Sequence, residues 1–505
     1  MAIKRYTADI DTTITNAYKA NLSARGVSGN MGQSDVLEVF SIYAQANSSS
    51  SELERILIKF PATGTSAGYI SYDRSQGDIP ASGSVSFYLR MFNAKHSQTV
   101  AKNFDLIVSA VSRSWDEGLG LDMEDYSDED AANWVTASMN GTTPTKWTSE
   151  GGDYLPDASS SFTASFTSGF EDVELDITLL VEQWINSSGN VLGSKSNYGV
   201  GIQLSSSLET GTTSYYTKKF FARGSEFFFK RPYIEARWDS SRKDRRGSYY
   251  YSSSLAPAAD NLNTVYLYNY TRGQLKNIPA IGTGSILVSI YSGSGDNTAP
   301  SGSKLILSAG GDVASSGDYD MTGGYVTTGI YSASFAFTGS ASLTAIYDVW
   351  HSAAVQYHTG SIVPKSLSQV WPGMGMNPNQ QYVSKITTLK PSYSNKNTSA
   401  RFRLYTRKKD WSPNIYAVSS KVAPIDLVED IYYRVYRVND GTQVISYGTG
   451  SDNNTRLSYD TSGSYFDLDM SLLESDNTYA LKFVYYLNGQ YIEQSEEFKF
   501  RVDEV

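Results

Sequence analysis

Apolar side chains that alternate with polar ones recur along this chain, and this pattern constrains its fold more than any other feature. The clearest run spans residues 479–487, where Tyr, Leu, Phe, Tyr and Leu occupy every second position. A period of two places such side chains on one face of a β-strand. Asn488 and Gly489 follow directly, before a further apolar pair. They predict a hairpin with a type I′ turn, because that turn requires a positive φ at both central residues.

The composition extends this prediction to the whole chain. Among 505 residues there are 38 Tyr and 20 Phe, and hydrophobic residues make up 40% against 19% charged. That balance is typical of a globular protein, and a chain of this length is expected to form several domains. Tyr and Thr favour strands, whereas the abundant Gly and Ser favour turns. The absence of Cys excludes disulfides and thiolate metal sites.

We therefore predict an all-β protein: an N-terminal jelly-roll β-sandwich at 1–240, a linker at 241–261, and two immunoglobulin-like β-sandwich domains at 262–375 and 376–505. The linker is suggested by a shift from basic to Tyr/Ser-rich to Pro/Ala-rich sequence after residue 235. The segment WPGMGMNP at 371–378 suggests the second boundary. Short apolar runs, among them 326–330, predict the strands of the second domain.

One stretch, 108–204, has an order of elements that is informative in itself. Residues 173–177 alternate as in a half-buried strand, and the apolar residues at 180, 181, 184 and 185 lie on one face of a short helix. Asp176 or Thr178 is placed to cap that helix. A second apolar strand is predicted at 200–204.

Several short segments in and around this stretch carry a resemblance only as a set. They are NMG at 30–32, RILIKF at 55–60, SWDEG at 114–118, Trp134, Trp147, GGD at 151–153, LDIT at 175–178 with Val181 and Trp184, NYG at 197–199, and KRPYIE at 230–235. Over roughly residues 5–240 the chain resembles the DNRLRE family of extracellular and virion β-sandwich domains. It is similar to versions found in structural proteins of tailed bacteriophages, marine ones especially. The resemblance implies a carbohydrate-binding-module-like jelly roll that serves structure or adhesion, without catalysis.

The charge balance and the N-terminus bear on location. A net charge of −10 argues against nucleic-acid binding through phosphate neutralisation. The N-terminal residues lack the apolar core of a signal peptide, and no run reaches the length of a membrane span. We therefore expect a chain that is assembled in a host cytoplasm and resides in a virion, with neither nucleic acid nor membrane as partner.

Two candidate ligand sites fall in the first domain. In the acidic loop at 116–130 the predicted calcium ligands are Asp122, Glu124, Asp125 and Asp128, since calcium prefers several oxygen ligands. The loop lacks EF-hand spacing, and a solvated surface loop is the alternative. Trp134 and Trp147 are candidates for stacking on a host glycan, with burial in the core as the alternative. No other cofactor is predicted.

Two further motifs have weaker functional readings. The segment GTSAG at 64–68 matches a nucleophile elbow, but we expect no helix after it and no partner for His96, His351 or His358. A glycine-rich loop is therefore predicted. The basic run of Arg242, Lys243, Arg245 and Arg246 suggests a linker face or a contact with an acidic partner protein.

These observations lead to one functional prediction. We expect a non-enzymatic structural protein of a bacteriophage virion, in the tail, baseplate or neck, that is oligomeric and acts through multivalent contacts with other virion proteins. The alternatives are a capsid decoration protein and a carbohydrate-binding adhesin that contacts the host surface.

Overall fold

The structure is a computed structural model that describes residues 2–186, 191–293, 302–312, 318–337, 343–352, 355–365, 381–412, 415 and 425–504. Strands dominate all of these ranges, which confirms the all-β prediction. The described strands form three units, each with a hydrophobic core of its own. The boundary predicted at 371–378 lies outside the described residues.

The first unit contains thirteen strands in the described part of the chain. They are β1 Ile3–Thr7, β2 Ile10–Thr15, β3 Val36–Tyr43, β4 Ser51–Lys59, β5 Ser86–Met91, β6 Phe104–Ala110, β7 Thr136–Asn140, β8 Thr143–Lys146, β9 Ser161–Phe166, β10 Val173–Asp176, β11 Val200–Leu204, β12 Tyr215–Phe221 and β13 Tyr233–Arg237. Its helices are α1 Ile70–Gln76, α2 Thr178–Ile185 and α3 Ser206–Glu209, with a 3-10 turn at Phe228–Lys230.

These strands form the two layers of a jelly-roll sandwich. One sheet has the order β1-β13-β5-β10, and the other has the order β12-β3-β4-β11-β6-β9 with β2 paired to β4. Ile56 and Ile58 on β4 share the main core with Phe87 and Leu89 on β5. Alternation along each strand thus directs one set of side chains between the layers.

The strand, helix and strand predicted in the stretch 108–204 are present as β10, α2 and β11. The buried side of α2 carries Leu180, Val181 and Trp184, all in the main core. Asp176 Oδ1 accepts the backbone N–H of Thr178 at 2.9 Å, so this carboxylate satisfies a donor at the start of the helix.

The second unit follows a segment that packs between units. Its strands are β14 Tyr249–Tyr250, β15 Asn263–Tyr268, β16 Tyr270–Thr271, β17 Gln274–Leu275, β18 Ile286–Tyr291, β19 Leu307–Ser308, β20 Asp320–Thr327, β21 Ile330–Phe337, β22 Ile346–Ser352, β23 Val355–Ile362 and β24 Pro364–Lys365, with 3-10 turns at Arg245–Gly247 and Ala258–Asn261. The larger sheet has the order β15-β21-β20-β18-β22-β23, with β19 paired to β21.

Strand β20 joins the two halves of this sheet. It pairs with β18 up to Gly323 and with β21 from Gly324 onward. A Cβ atom on Gly323 would lie 2.7 Å from Ser332 O, so only glycine permits this close approach of the two backbones.

The predicted strand at 326–330 is wrong, because residues 328–329 form the turn between β20 and β21. Gly329 supplies the left-handed conformation of that turn, with φ 72°.

The third unit contains ten strands in the described residues. They are β25 Tyr382–Ile386, β26 Ser392–Ser394, β27 Ala400–Lys408, β28 Ile431–Arg437, β29 Gln443–Ile445, β30 Ser458–Asp460, β31 Gly463–Leu468, β32 Asn477–Leu487, β33 Gln490–Glu493 and β34 Phe498–Asp503, with a 3-10 turn at Met470–Leu472. One sheet has the order β25-β27-β31-β30, and the other has the order β26-β34-β32-β28-β29 with β33 paired to β32.

The hairpin predicted from Asn488 and Gly489 is present between β32 and β33. Their φ angles of 51° and 81° are both positive, as a type I′ turn requires.

Candidate functional site

The acidic loop does not bring its carboxylates together. Asp122 Oδ1 accepts the backbone N–H groups of Glu124, Asp125 and Tyr126 at 2.8, 2.8 and 3.0 Å. These bonds, that from Tyr126 foremost, lower the pKa of Asp122. Asp128 accepts N–H groups in the same way.

The carboxylate of Glu124 accepts the backbone N–H of Ala20, outside the loop. Among the described residues, no group of three or more acidic or histidine side chains is arranged to hold a metal ion. The predicted calcium ligands Asp122, Glu124, Asp125 and Asp128 are therefore not gathered into one site in this structure; backbone donors occupy the carboxylates of Asp122, Glu124 and Asp128.

The two tryptophans predicted to contact a glycan are buried. Trp134 is 4% exposed and Trp147 is 6% exposed, and both belong to a second apolar cluster on the outer side of the seven-stranded sheet. Trp147 donates its indole N–H to Asn133 O at 2.8 Å, and the Arg55 guanidinium lies 5.1 Å from the Trp134 ring. Neither ring is available to stack on a sugar, so the alternative of burial in the core describes them.

The GTSAG segment is followed by a helix, contrary to our expectation. Helix α1 begins at Ile70, whose side chain is fully buried, and ends at Gly77, which has a φ of 78°. The motif is still not an elbow, because Ser66 lies in an exposed loop seven residues after the last residue of β4. An elbow places its serine at the turn that directly joins strand and helix.

His351 has partners that the sequence did not suggest. Its Nε2 lies 2.6 Å from Ser289 Oγ, and Asp320 accepts a hydrogen bond from the same serine. Burial would raise the pKa of Asp320, but Lys304 and Ser289 stabilise the carboxylate and lower it. The single serine proton is thus directed to Asp320, and Nε2 must donate to Ser289. With the proton on Nε2, the lone pair of the neutral imidazole is on Nδ1 and does not face Ser289, so the trio links three strands and is not arranged as a nucleophile with its base.

The strongest electrostatic feature is a charged row across the outer face of the sheet β1-β13-β5-β10. Glu235 on β13 accepts from Arg5 and from Arg237 at 2.7 Å each. Arg237 also pairs with Glu174 on β10 at 2.7 Å, and Arg90 on β5 pairs with the same carboxylate. Burial would raise the pKa of Glu235, but the two arginines outweigh it and lower that pKa.

The third unit covers this charged row. Arg5 donates to the Val444 carbonyl at 2.6 Å, and a cleft of about 180 Å³ remains between the row and residues 442–448. The charges at this cleft satisfy one another, so they stabilise the contact between units and leave no carboxylate free for catalysis.

An apolar contact reinforces the same joint. Ile3 and Phe229, both from the first unit, belong to the core cluster of the third unit. The Phe229 ring lies 6.4 Å from the Tyr479 ring, and the Arg437 guanidinium lies 5.2 Å from it on the other side. We call this contact, with the charged row, the first–third joint.

The basic run falls in a segment that follows the first unit and contacts the second and third units, which we call the strap (residues 239–251). Tyr459 N donates to Arg242 O at 2.9 Å and Asp244 N donates to Tyr459 O at 3.1 Å, so the strap pairs with β30 of the third unit as a parallel strand. At its other end Tyr249 lies in the core of the second unit. The segment predicted as a linker is thus packed between units.

The charged side chains of the strap have acidic partners, but these lie in the same chain. Arg246 donates to both oxygens of the fully buried Asp348, at 2.8 Å for the longer bond. Arg245 and Lys243 pair with Glu429 and Asp430 of the third unit. Asp239, also in the strap, pairs with Arg456 of the same unit. Burial raises the pKa of Asp244, between these cations, to about 6.

Sequence reasoning found the basic run but not its partners. They lie between 102 and 187 positions away, and nothing in the local pattern pairs them. The one local signal that could have indicated a packed segment is the group of arginines close to Tyr and Ser residues, because arginine is well suited to buried ion pairs.

None of the helices in the described residues is long and apolar enough to cross a membrane. No protein-family model matches the chain, and no protein with a curated description matches it. Among solved structures, the chain is similar to a DUF4785 family protein from Legionella pneumophila, with 9% identity over 92% of this chain and 90% of that one. The TM-score of this match is 0.13.

Proposed function

We propose that the chain is a non-enzymatic structural protein of a bacteriophage virion, a component of the tail, baseplate or neck that acts through multivalent contacts with other virion proteins. One observation carries the proposal: the first–third joint and the strap fasten three β-sandwiches into a single body. Such a body transmits force and holds several surfaces at fixed spacing, which is what a component of a symmetric assembly requires.

The chemistry of the described residues supports the same proposal. The charged side chains that are concentrated at the joints are paired with each other, and Ser289 and His351 are oriented away from catalysis. The setting in a virion derives from the resemblance of residues 5–240 to DNRLRE domains, and the jelly roll fits that expectation.

Two alternatives differ in location and partner. A capsid decoration protein would use the same body on the phage head. An adhesin would bind a host glycan, but burial of Trp134 and Trp147 removes the feature that suggested it.

The direct test is to find the chain in particles. Phage particles that carry a tagged copy of the chain would be purified on a density gradient, quantified by mass spectrometry and imaged with averaging. We expect a fixed number of copies, above one, in the tail, baseplate or neck. Copies on the head would instead establish decoration. Absence from particles, or hydrolysis of a host polysaccharide by the purified protein, would reject the proposal.

A further inference from the structure

A long basic segment builds one sheet face of the third unit. Between Asp348 and Asp410 the sequence has no acidic residue but nine basic ones: Lys365, Lys385, Lys390, Lys396, Arg401, Arg403, Arg407, Lys408 and Lys409. Its first part completes the second unit as β23 and β24, and its later part, which holds eight of the nine, enters the third unit as β25, β26 and β27. Because side chains alternate along β27, Arg401, Arg403, Tyr405 and Arg407 point outward, and Lys385 on β25 lies beside Tyr405.

Only part of this positive charge is balanced within the chain. Arg401 pairs with Asp467 and Arg403 pairs with Asp460. Six other cations of this segment in the third unit have no carboxylate at ion-pairing distance among the described residues, and one of them, Lys396, lies in the turn after β26. We call the other five the basic face: Lys385, Lys390, Arg407, Lys408 and Lys409. Strand β25 is also the edge of its sheet.

The acidic loop at 116–130 is the opposite in charge. It has eight Asp and Glu residues and no Lys or Arg, and of these carboxylates only that of Glu117 has an ion-pair partner, Arg223, among the described residues. The loop also exposes Leu119 by 76%, Tyr126 by 64% and Leu121 by 50%. Apolar side chains exposed together within a charged rim are typical of a protein contact.

The loop and the basic face point away from each other. The loop lies with the tryptophan cluster on the outer side of the seven-stranded sheet, whereas the first–third joint uses the outer side of the other sheet. Within the third unit, that joint uses β28, β29 and β32, and the basic face belongs to the other layer. The two surfaces thus belong to layers that the joint does not use, and no hydrogen bond or ion pair connects them among the described residues.

We propose that the basic face of one copy binds the acidic loop of a second copy. The contact is heterologous, since two different surfaces meet, and repetition of it yields a ring or an open row of copies. Complementary charge would steer the encounter, and Leu119, Leu121 and Tyr126 would supply the apolar centre. This inference rests on the proposed function in that it specifies how copies associate in an assembly.

The test uses the full chain and two charge-reversed variants. Lys385→Glu/Lys408→Glu alters the basic face, and Asp125→Lys/Asp130→Lys alters the loop at carboxylates that the structure leaves without hydrogen-bond donors among the described residues. The matched control is Lys95→Glu/Lys102→Glu, with the same charge change on exposed residues of the first unit. Mass would be measured by sedimentation velocity over a concentration series, after nuclease treatment, at about 50 mM and about 500 mM salt.

We expect the natural chain and the control to associate beyond dimers at low salt, and each altered protein to associate about 100-fold more weakly. In an equimolar mixture of the two altered proteins, the intact loop of one meets the intact basic face of the other, and the two reversed surfaces are again opposite in charge, so association should be regained. A two-fold contact through a single surface would not show this pattern.

The inference is overturned if the natural chain stays monomeric, if the altered proteins associate like the control, or if association disappears on nuclease treatment. None of these results bears on whether the chain is found in particles. Conversely, a chain absent from particles that still associates head to tail would reject the proposed function and leave this inference standing.

Discussion

The first–third joint connects the first and third units, and the strap connects the second and third units by different means. In the first–third joint, Ile3 and Phe229 of the first unit insert into the hydrophobic core of the third unit. The same joint contains the buried Glu235, which pairs with two arginines. The strap is held by backbone hydrogen bonds and by ion pairs that differ in burial. The pair of Arg246 with Asp348 is the most buried, and the pair of Lys243 with Asp430 is more exposed. Apolar contacts depend little on salt or pH, whereas ion pairs depend on both. The second unit should therefore be the one whose attachment responds to solution conditions.

The largest effect is expected from Arg246→Ala. Removal of this guanidinium leaves the carboxylate of Asp348 buried without its cation, and such an uncompensated charge costs about 3–5 kcal/mol of unfolding free energy. Urea unfolding at pH 7 measures it. Arg242→Ala is the matched control, because only the backbone of Arg242 has hydrogen bonds in the strap. Equal losses in the two variants would show that the ion pair is not what fastens the second unit.

The next effect is expected from Phe229→Ala, at about 3 kcal/mol, because an aromatic ring is lost from a packed core. The loss should be the same at low and high salt, in contrast to the strap. The neighbouring Phe228, whose ring is 40% exposed, provides Phe228→Ala as control, with a loss below about 1 kcal/mol. A loss for Phe229→Ala that halves in high salt would contradict the distinction between the two joints.

The two joints should also differ in their dependence on pH. Asp244 has a pKa raised by burial to about 6, so its contribution favours folding most below the ordinary pKa near 3.8 and is lost as the pH rises through 6. Glu235 has a lowered pKa, so its contribution is present above its ordinary pKa near 4.5 and is lost as the pH falls.

The variant Asp244→Asn isolates the contribution of Asp244 in the strap to the pH dependence of stability. Asn keeps an acceptor for the Arg246 N–H and removes the buried charge, so the variant should be more stable than the natural chain by about 3 kcal/mol at pH 7 and by only about 0.5 kcal/mol at pH 4. Urea midpoints at four pH values between these limits would reveal the convergence. A difference that is constant with pH would mean that Asp244 does not titrate in this range.

The smallest effect is expected from Lys243→Ala. The Lys243 and Asp430 side chains are each about 30% exposed and lie 3.0 Å apart, and water screens such a pair. We expect a loss below about 0.5 kcal/mol, which disappears in high salt. A loss comparable to that of Arg246→Ala would refute the idea that burial grades the strap ion pairs.

Local patterns predicted the sandwich layers well, because alternation is written into each strand. The hairpin at Asn488 and Gly489 and the helix α2 were both predicted from a few adjacent residues. Helix α1 was missed, since Ile70 is its one buried apolar residue and gives no periodic signal. The strand expected at 326–330 was wrong because a turn glycine lies inside an apolar run.

The candidate site was less predictable for a different physical reason. The residue types at Trp134, Trp147 and Asp122 suit ligand binding, but their roles depend on what covers them, and that is decided by distant segments. The same applies to the strap: its cations are visible in the sequence, but Asp348 and Glu429 become their partners only through packing of the units.

The place of Phe229 has a consequence for biosynthesis. The ring is synthesised some 200 residues before β28 and β32, the strands that enclose it. While the ribosome is still translating the intervening sequence, this phenylalanine remains exposed on a jelly roll that is otherwise complete. A nascent chain stalled before residue 431 would expose the Phe229 side chain to solvent. Chaperone binding during translation should therefore be highest between the synthesis of residue 229 and that of residue 431.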